Sequence, residues 1–175
     1  MKRSVTVAVA GVTAALSVLL LALGSVIWVL AYIMPLLCGI LMIMIYQSAG
    51  ANTAWLVFAA VSVLSLILLN DKESVLLYVL FFGYYPPVRE RIDRLRSPFL
   101  RGVLKLLLFN AGVVATELLC TYVLGVPFEL FLGKWSAPVL LLAANLIFVI
   151  YERLLRLLTL LYVKKYKPRI DKYFK

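Results

Sequence analysis

The sequence predicts an all-α integral membrane bundle of about six transmembrane helices, with the N and C termini on the cytoplasmic side. Three observations predict it. Apolar residues fill 65% of the 175 positions and the mean hydropathy is +1.04, well above a soluble domain, in which roughly half the residues are apolar. Those residues are gathered into runs of bilayer-crossing length, separated by Gly, Ser, Asn and Pro, the residues that turn a chain. The Lys and Arg residues fall almost entirely in every second connection between the runs.

The runs give the elements in order. The first, 5–23, is expected to stop at Gly24-Ser25, a pair suited to a turn. The second, 26–46, contains Pro35, and the third, 51–69, follows the small polar link Gln47-Ser48-Ala49-Gly50. The fourth, 73–85, is short, because the Asn70-Asp71-Lys72 turn precedes it and Pro86-Pro87, which do not continue a helix easily, follow it. The fifth and sixth, 99–124 and 137–163, are separated by the link 125–135 with Pro127 and Gly133. The runs occupy most of the chain, so 1–175 reads as a single transmembrane helical domain with a basic loop at 88–98 and a basic tail at 164–175. A rival reading takes 1–24 as a cleaved signal peptide, with Met1-Lys2-Arg3 before the apolar stretch and Ala22-Leu23-Gly24 as the small-residue site. The stretch is longer than a usual signal core, which favours a span.

Orientation follows from the charges. An even number of spans puts both termini on one side. Lys2 and Arg3, the six basic residues from Arg89 to Lys105 and the eight from Arg153 to Lys175 then make 16 inside, against Lys72 and Lys134 outside. Aromatic residues agree: Trp28, Tyr122 and Trp135 fall at outer ends, and Tyr46, Trp55, Tyr84, Tyr85 and Tyr162 at inner ends, where interfacial rings are favoured.

Composition also excludes function classes. The net charge of +10 sits at helix ends and short loops instead of interleaving with exposed aromatics, so it reads as topology and not as nucleic-acid binding. The chain has no histidine, which removes histidine-dependent metal sites and Ser-His or Cys-His nucleophiles. No phosphate-binding loop, dinucleotide fingerprint or G-x-S-x-G occurs. Cys38 and Cys120 lie singly in apolar runs, where they act as small hydrophobes. The expectation is a non-enzyme without a cofactor.

The candidate residues are polar groups where lipid makes them expensive. Glu117 lies in the outer half of the fifth span, where a carboxylate needs the bundle interior, water or a partner. Asn110, Glu117 and Thr121 share a helix face, and Asn145 of the sixth span is expected at a similar depth to Glu117, giving a candidate ligand pocket between the two spans. The alternative is that the same groups only hold helices together. Glu152 precedes Arg156 by four residues, the spacing of a helical ion pair. Residues 88–96 carry apolar positions among charges and read as a short amphipathic cytoplasmic helix whose Arg91, Arg94 and Arg96 are candidate contacts for anionic lipid or an acidic partner, or simply mark topology. In the first span, Ala10 and Ala14, with Gly11 and Ala15 beside them, permit close approach of another helix, internal or from a separate subunit.

Six short helices, the Ala10-x-x-x-Ala14 pattern and a cytoplasmic N-terminus resemble the substrate-binding S component of energy-coupling factor vitamin transporters. Tyr32-Ile33-Met34-Pro35-Leu36-Leu37-Cys38-Gly39 and Phe81-Phe82-Gly83-Tyr84-Tyr85-Pro86 also resemble a group of uncharacterised bacterial membrane proteins of similar plan. The resemblance implies a multi-pass protein of the bacterial plasma membrane. It also implies that Ala10 and Ala14 contact a transmembrane coupling subunit served by ATPases, and that a solute binds near the outer face among the later helices. The Gly24-Ser25 connection is too short for the lid that this family places over its solute.

Two functions are expected from these residues and this resemblance. One is a small-solute-binding membrane subunit of a transport system, energised by a separate partner module. The other is a noncatalytic membrane scaffold or assembly protein that binds a cytoplasmic partner or anionic lipid through its basic loop and tail, the latter including Lys164-Lys165-Tyr166-Lys167-Pro168-Arg169.

Overall fold

A computed structural model describes residues 3–27, 30–125 and 136–166. The readings placed on Lys2, Trp28, Pro127, Gly133, Lys134, Trp135 and the tail from Lys167 onward lie outside the described residues. Among the described residues the structure is all-helical and contains no strand. The helices are α1 (Arg3–Val26), α2 (Ile33–Ala49), α3 (Ala51–Leu68), α4 (Lys72–Leu77), α5 (Tyr85–Ile92), α6 (Pro98–Tyr122) and α7 (Ser136–Leu161). A π turn, Tyr78–Phe82, extends α4, and another, Tyr162–Tyr166, extends α7. Four segments are long and apolar enough to cross a membrane, Ser4–Val26, Ala51–Leu68, Pro98–Tyr122 and Pro138–Lys164, and α2 is a shorter apolar helix of 17 residues.

Three boundaries differ from the sequence expectation, each for a local reason. α1 does not turn at Gly24-Ser25 but runs through to Val26, because Gly24 lies against Met34, whose Cβ would be 3.2 Å from a side chain at that position. Missing bulk, not a turn, is what the glycine supplies. Pro35 lies inside the second predicted span yet falls in the first turn of α2, where its missing N–H removes no helical bond.

The largest difference is at the fourth predicted span. Pro86-Pro87 do not end it. They open α5, occupying its first turn. Lacking N–H groups, they leave the carbonyls of Phe82 and Gly83 without their helical donors, and the chain accommodates this with the π turn and the Gly83-Tyr84 break. Lys72–Ile92 is therefore a discontinuous helix. Its start is tied to the beginning of α2, since Tyr32 Oη donates to Glu73 at 2.5 Å and Ser74 Oγ to the Ala31 carbonyl at 2.8 Å. Its end is tied to the end of α2, where Gln47 Nε2 donates to Glu90 at 3.0 Å. The broken helix thus runs the length of α2.

Two apolar clusters make the core, and α2 contributes to both. Leu21, Cys38, Met42, Ile45, Ala54, Val57, Val61 and Tyr78 join α1, α2, α3 and the π turn. Ile43, Phe81, Phe82, Tyr85, Phe109, Phe148, Tyr151 and Leu155 join α2 and the broken helix to α6 and α7. The second cluster is largely aromatic. Phe109 and Phe148 stack with centroids 4.5 Å apart, Phe81 stacks on Tyr85 at 4.6 Å, and Phe81 meets Phe109 edge-on at 5.2 Å, the offset and edge geometries that ring quadrupoles favour.

Close approach depends on glycine where α2 meets α7. A Cβ at Gly39 would lie 2.2 Å from Tyr151 Oη and 3.0 Å from the Phe82 carbonyl oxygen. Gly39→Ala is therefore expected to lower stability by about 1–3 kcal/mol, as overpacking does, measured by thermal unfolding in detergent. Tyr151→Phe in the same chain should recover much of the loss. A Gly39→Ala protein as stable as the parent would show that α2 and α7 separate easily.

Candidate functional site

The site begins with two charged residues in predominantly apolar helices, Lys105 in α6 and Glu152 in α7. Either one alone would be expensive to bury. The helices run antiparallel and bring them together: Lys105 Nζ lies 2.5 Å from Glu152 Oε1. Arg89 of α5 reaches the same carboxylate, its Nε 3.0 Å from each oxygen, and Tyr85 Oη donates to Oε2 at 2.6 Å. Lys105 also holds Asp93 Oδ1 at 2.6 Å, and Arg89 lies 3.6 Å from Asp93 Oδ2 and 3.9 Å from Glu90. The side chains of Arg89 and Lys105 are only 3% and 6% exposed and that of Glu152 14%, so these are interior ion pairs. Phe148, Phe81 and Tyr151 lie in the aromatic cluster that contains Tyr85, giving the charges a floor of low polarity.

Glu152 therefore does not pair with Arg156, as the i,i+4 spacing predicts. Its oxygens are taken by Arg89, Lys105 and Tyr85, and Arg156 is exposed. The network fixes α5 by one face. Tyr85, Arg89 and Ile92 are buried, while Arg91 in the same helix and Arg94 and Arg96 just beyond it are exposed and make no ion pair among the described residues.

The residues expected to form a ligand pocket fall elsewhere and only partly together. Asn110 and Asn145 form a reciprocal amide pair, with Nδ2 to Oδ1 distances of 2.9 and 2.8 Å. Each amide also donates to the carbonyl four residues earlier in its own helix, at Leu106 and at Leu141. Asn145 is thus level with Asn110, and Glu117 lies two turns further along α6, about 10 Å at helical rise. Glu117 is half-buried and makes no hydrogen bond or ion pair among the described residues. Glu73 is within its electrostatic reach, and Glu73, Glu117 and Asp71 all act on Cys120. Thr121 is half-buried one turn further on. The end of the bundle opposite the Arg89 network is accordingly acidic.

Ala10 and Ala14 pack against the first core cluster, within the bundle. Gly11 and Ala15 on the neighbouring face are exposed, with open space around Gly11.

Sequence reading missed Tyr85, Arg89, Asp93 and Lys105 as a site. The available signal was Lys105, a turn inside the apolar run from Arg101, at the depth of Glu152 once α6 and α7 are paired antiparallel.

Comparison with family models, curated proteins and solved structures finds no match to this chain.

Glu152→Leu leaves the buried Arg89 and Lys105 with only the less buried acids, Asp93 for both and Glu90 for Arg89, and is expected to cost about 3 kcal/mol, measured by unfolding in detergent. Arg94→Gln, at an exposed position, should stay within about 0.5 kcal/mol of the parent. Equal effects at the two positions would show that the buried network does not hold the fold.

Proposed function

We propose that the chain is a multi-pass membrane protein that acts as a noncatalytic assembly subunit, docking an acidic cytoplasmic partner protein on its basic end. The observation that carries this reading is the two-sided α5 segment. Its buried face is clamped through Arg89, while Arg91, Arg94 and Arg96 are exposed and without an ion pair among the described residues. Arg91 is on the clamped helix and Arg94 and Arg96 lie in the turn that follows it, short of the helix expected over 88–96, and such exposed guanidinium groups can meet carboxylates bidentately. In this reading α1, α2, α3, the broken helix Lys72–Ile92, α6 and α7 are the six crossings, and the Arg89 end faces the cytoplasm with both termini.

A second reading, the solute-binding transport subunit energised by a separate module, is favoured by a different observation. Glu117 is half-buried and unpaired among the described residues, at an end that also holds Glu73 and Asp71. Such an end suits a cationic solute.

Orientation is tested by cysteine labelling in intact cells. Arg94→Cys should react with a membrane-impermeant maleimide only after permeabilisation, and Asn70→Cys before it. The reverse pattern would invert the bundle.

Partner docking is tested by gentle purification from the native membrane, with co-purified proteins and retained small molecules identified by mass spectrometry. The parent should carry an acidic partner that the Arg91→Glu, Arg94→Glu, Arg96→Glu protein loses, and salt should weaken the association. Recruitment that survives charge reversal, or purification of the chain alone, counts against docking. A retained cation lost in Glu117→Gln would favour the solute reading.

A further inference from the structure

Two clefts adjoin the buried network and share Arg156 and Leu160 as their common wall. The smaller, about 290 Å³, lies against α5 and is lined by Arg89, Arg101 and Thr159 among others. The larger, about 650 Å³, runs between α6 and α7, with Lys105, Glu152 and Arg153 on its polar side and Leu106, Phe148 and Leu157 on its apolar side. We propose that this double cleft binds an anionic phospholipid, its phosphate held by Arg101, Arg153 and Arg156 and its acyl chain lying along the apolar wall between α6 and α7. The proposal rests on the reading that the basic ends of α6 and α7 lie at a bilayer surface.

Charge is the first argument. Five basic side chains line the two clefts against three acidic ones, Glu90, Asp93 and Glu152. Arg89 and Lys105 already engage all three acids. Arg101, Arg153 and Arg156 are left without a carboxylate among the described residues. Arg101 donates from Nη1 to the Asp93 carbonyl at 3.4 Å, but its Nε is buried with no acceptor. A buried donor without an acceptor is unfavourable, and Arg101, which lines the smaller cleft and has no carboxylate partner among the described residues, can give a phosphate there charge-assisted bonds.

Shape is the second argument, and it favours a lipid over a soluble phosphate compound. Leu106 and Val149, on the inner side of Arg101, Arg153 and Arg156 in the bundle, line the larger cleft and are also exposed on the helix surface, at 37% and 47%. The apolar wall is therefore continuous with the face that meets hydrocarbon, from which an acyl chain enters without crossing water. Basic pockets between helices at a cytoplasmic surface are the chemistry by which anionic head groups are recognised.

The test is native mass spectrometry of the purified full chain, titrated with phosphatidylglycerol, with phosphatidylcholine of the same acyl chains, and with glycerol 3-phosphate. Phosphatidylglycerol should bind about tenfold more tightly than phosphatidylcholine, and Arg101→Gln/Arg156→Gln should remove that preference. Arg153→Gln/Arg156→Gln provides a second variant at exposed side chains without ion pairs among the described residues, so it is expected to fold even if loss of Arg101 is not tolerated. Arg91→Gln/Arg94→Gln, on the exposed face of the α5 segment, should leave the preference unchanged.

Equal binding of the two lipids, or an anionic preference that survives both cleft variants and falls in the Arg91→Gln/Arg94→Gln protein, would overturn the site. Glycerol 3-phosphate binding as tightly as the lipid, with the same arginine dependence, would overturn the lipid assignment in favour of a soluble phosphate ester. Because docking is read from partner recovery and this site from lipid preference, either fails without the other.

Discussion

The carboxylate of Glu152, shared by Arg89, Lys105 and Tyr85, is the constraint on which half of this bundle depends. Moving three charges out of water is unfavourable by several kcal/mol per ion before any pairing, so the ions are tolerated only if α5, α6 and α7 arrive together with their groups aimed at one point. That requirement acts more as a specification of geometry than as net stabilisation. α6 could slide by a turn along α7 and keep most of its apolar burial, but Lys105 would lose Glu152. The Asn110–Asn145 amide pair repeats the constraint further along the same two helices. Two polar rungs fix an antiparallel register that leucines alone leave loose.

The other half is organised by α2, which reaches both core clusters. Its role depends on small side chains at the points of closest approach, Gly39 against Tyr151 and, from the end of α1, Gly24 against Met34. In a lipid environment the gain from association comes from dense packing, because hydrocarbon offers no hydrophobic drive between helices. Gly112 of α6 serves the same end, since a Cβ there would lie 3.0 Å from the Leu80 carbonyl oxygen in the π turn. The irregular backbone of the broken helix is thus covered by protein at this point.

Period and composition made the regular parts of this fold legible. The third, fifth and sixth apolar runs correspond closely to α3, α6 and α7, because long, predominantly apolar runs admit one reading. The fourth segment was not legible for a specific reason. Pro86-Pro87 read as a terminator by missing N–H groups, yet the same property suits them to the first turn of α5, and only the tertiary environment of Gly83 and the π turn decides between the two. The network was hidden for another reason. Arg89 and Lys105 lie 63 and 47 residues from Glu152, and in the sequence Arg89 is one of several arginines in a basic loop. Nothing local distinguishes it from Arg91, although one is buried and the other is not. Asn110 was expected on the ligand face because it shares one with Glu117, but sharing a face says nothing of depth, and the amide pair binds Asn110 to Asn145 instead.

The positions of the satisfied and unsatisfied groups bear on where the chain does its work. Midway along α6 and α7 the polar groups answer one another, since both asparagine amides are engaged across the interface and along their own helices. A ligand there would have to break bonds already made. At the two ends the balance is different. Arg101 and Arg156 flank a network whose acids are already taken, and Glu117 lies with Glu73 and Asp71 at the other extremity. Basic groups in excess at one end and acidic groups in excess at the other leave each with capacity for an outside counter-charge, anionic at the first and cationic at the second. The paired groups therefore set register in the middle of the bundle, and the charges without a partner among the described residues lie toward its ends.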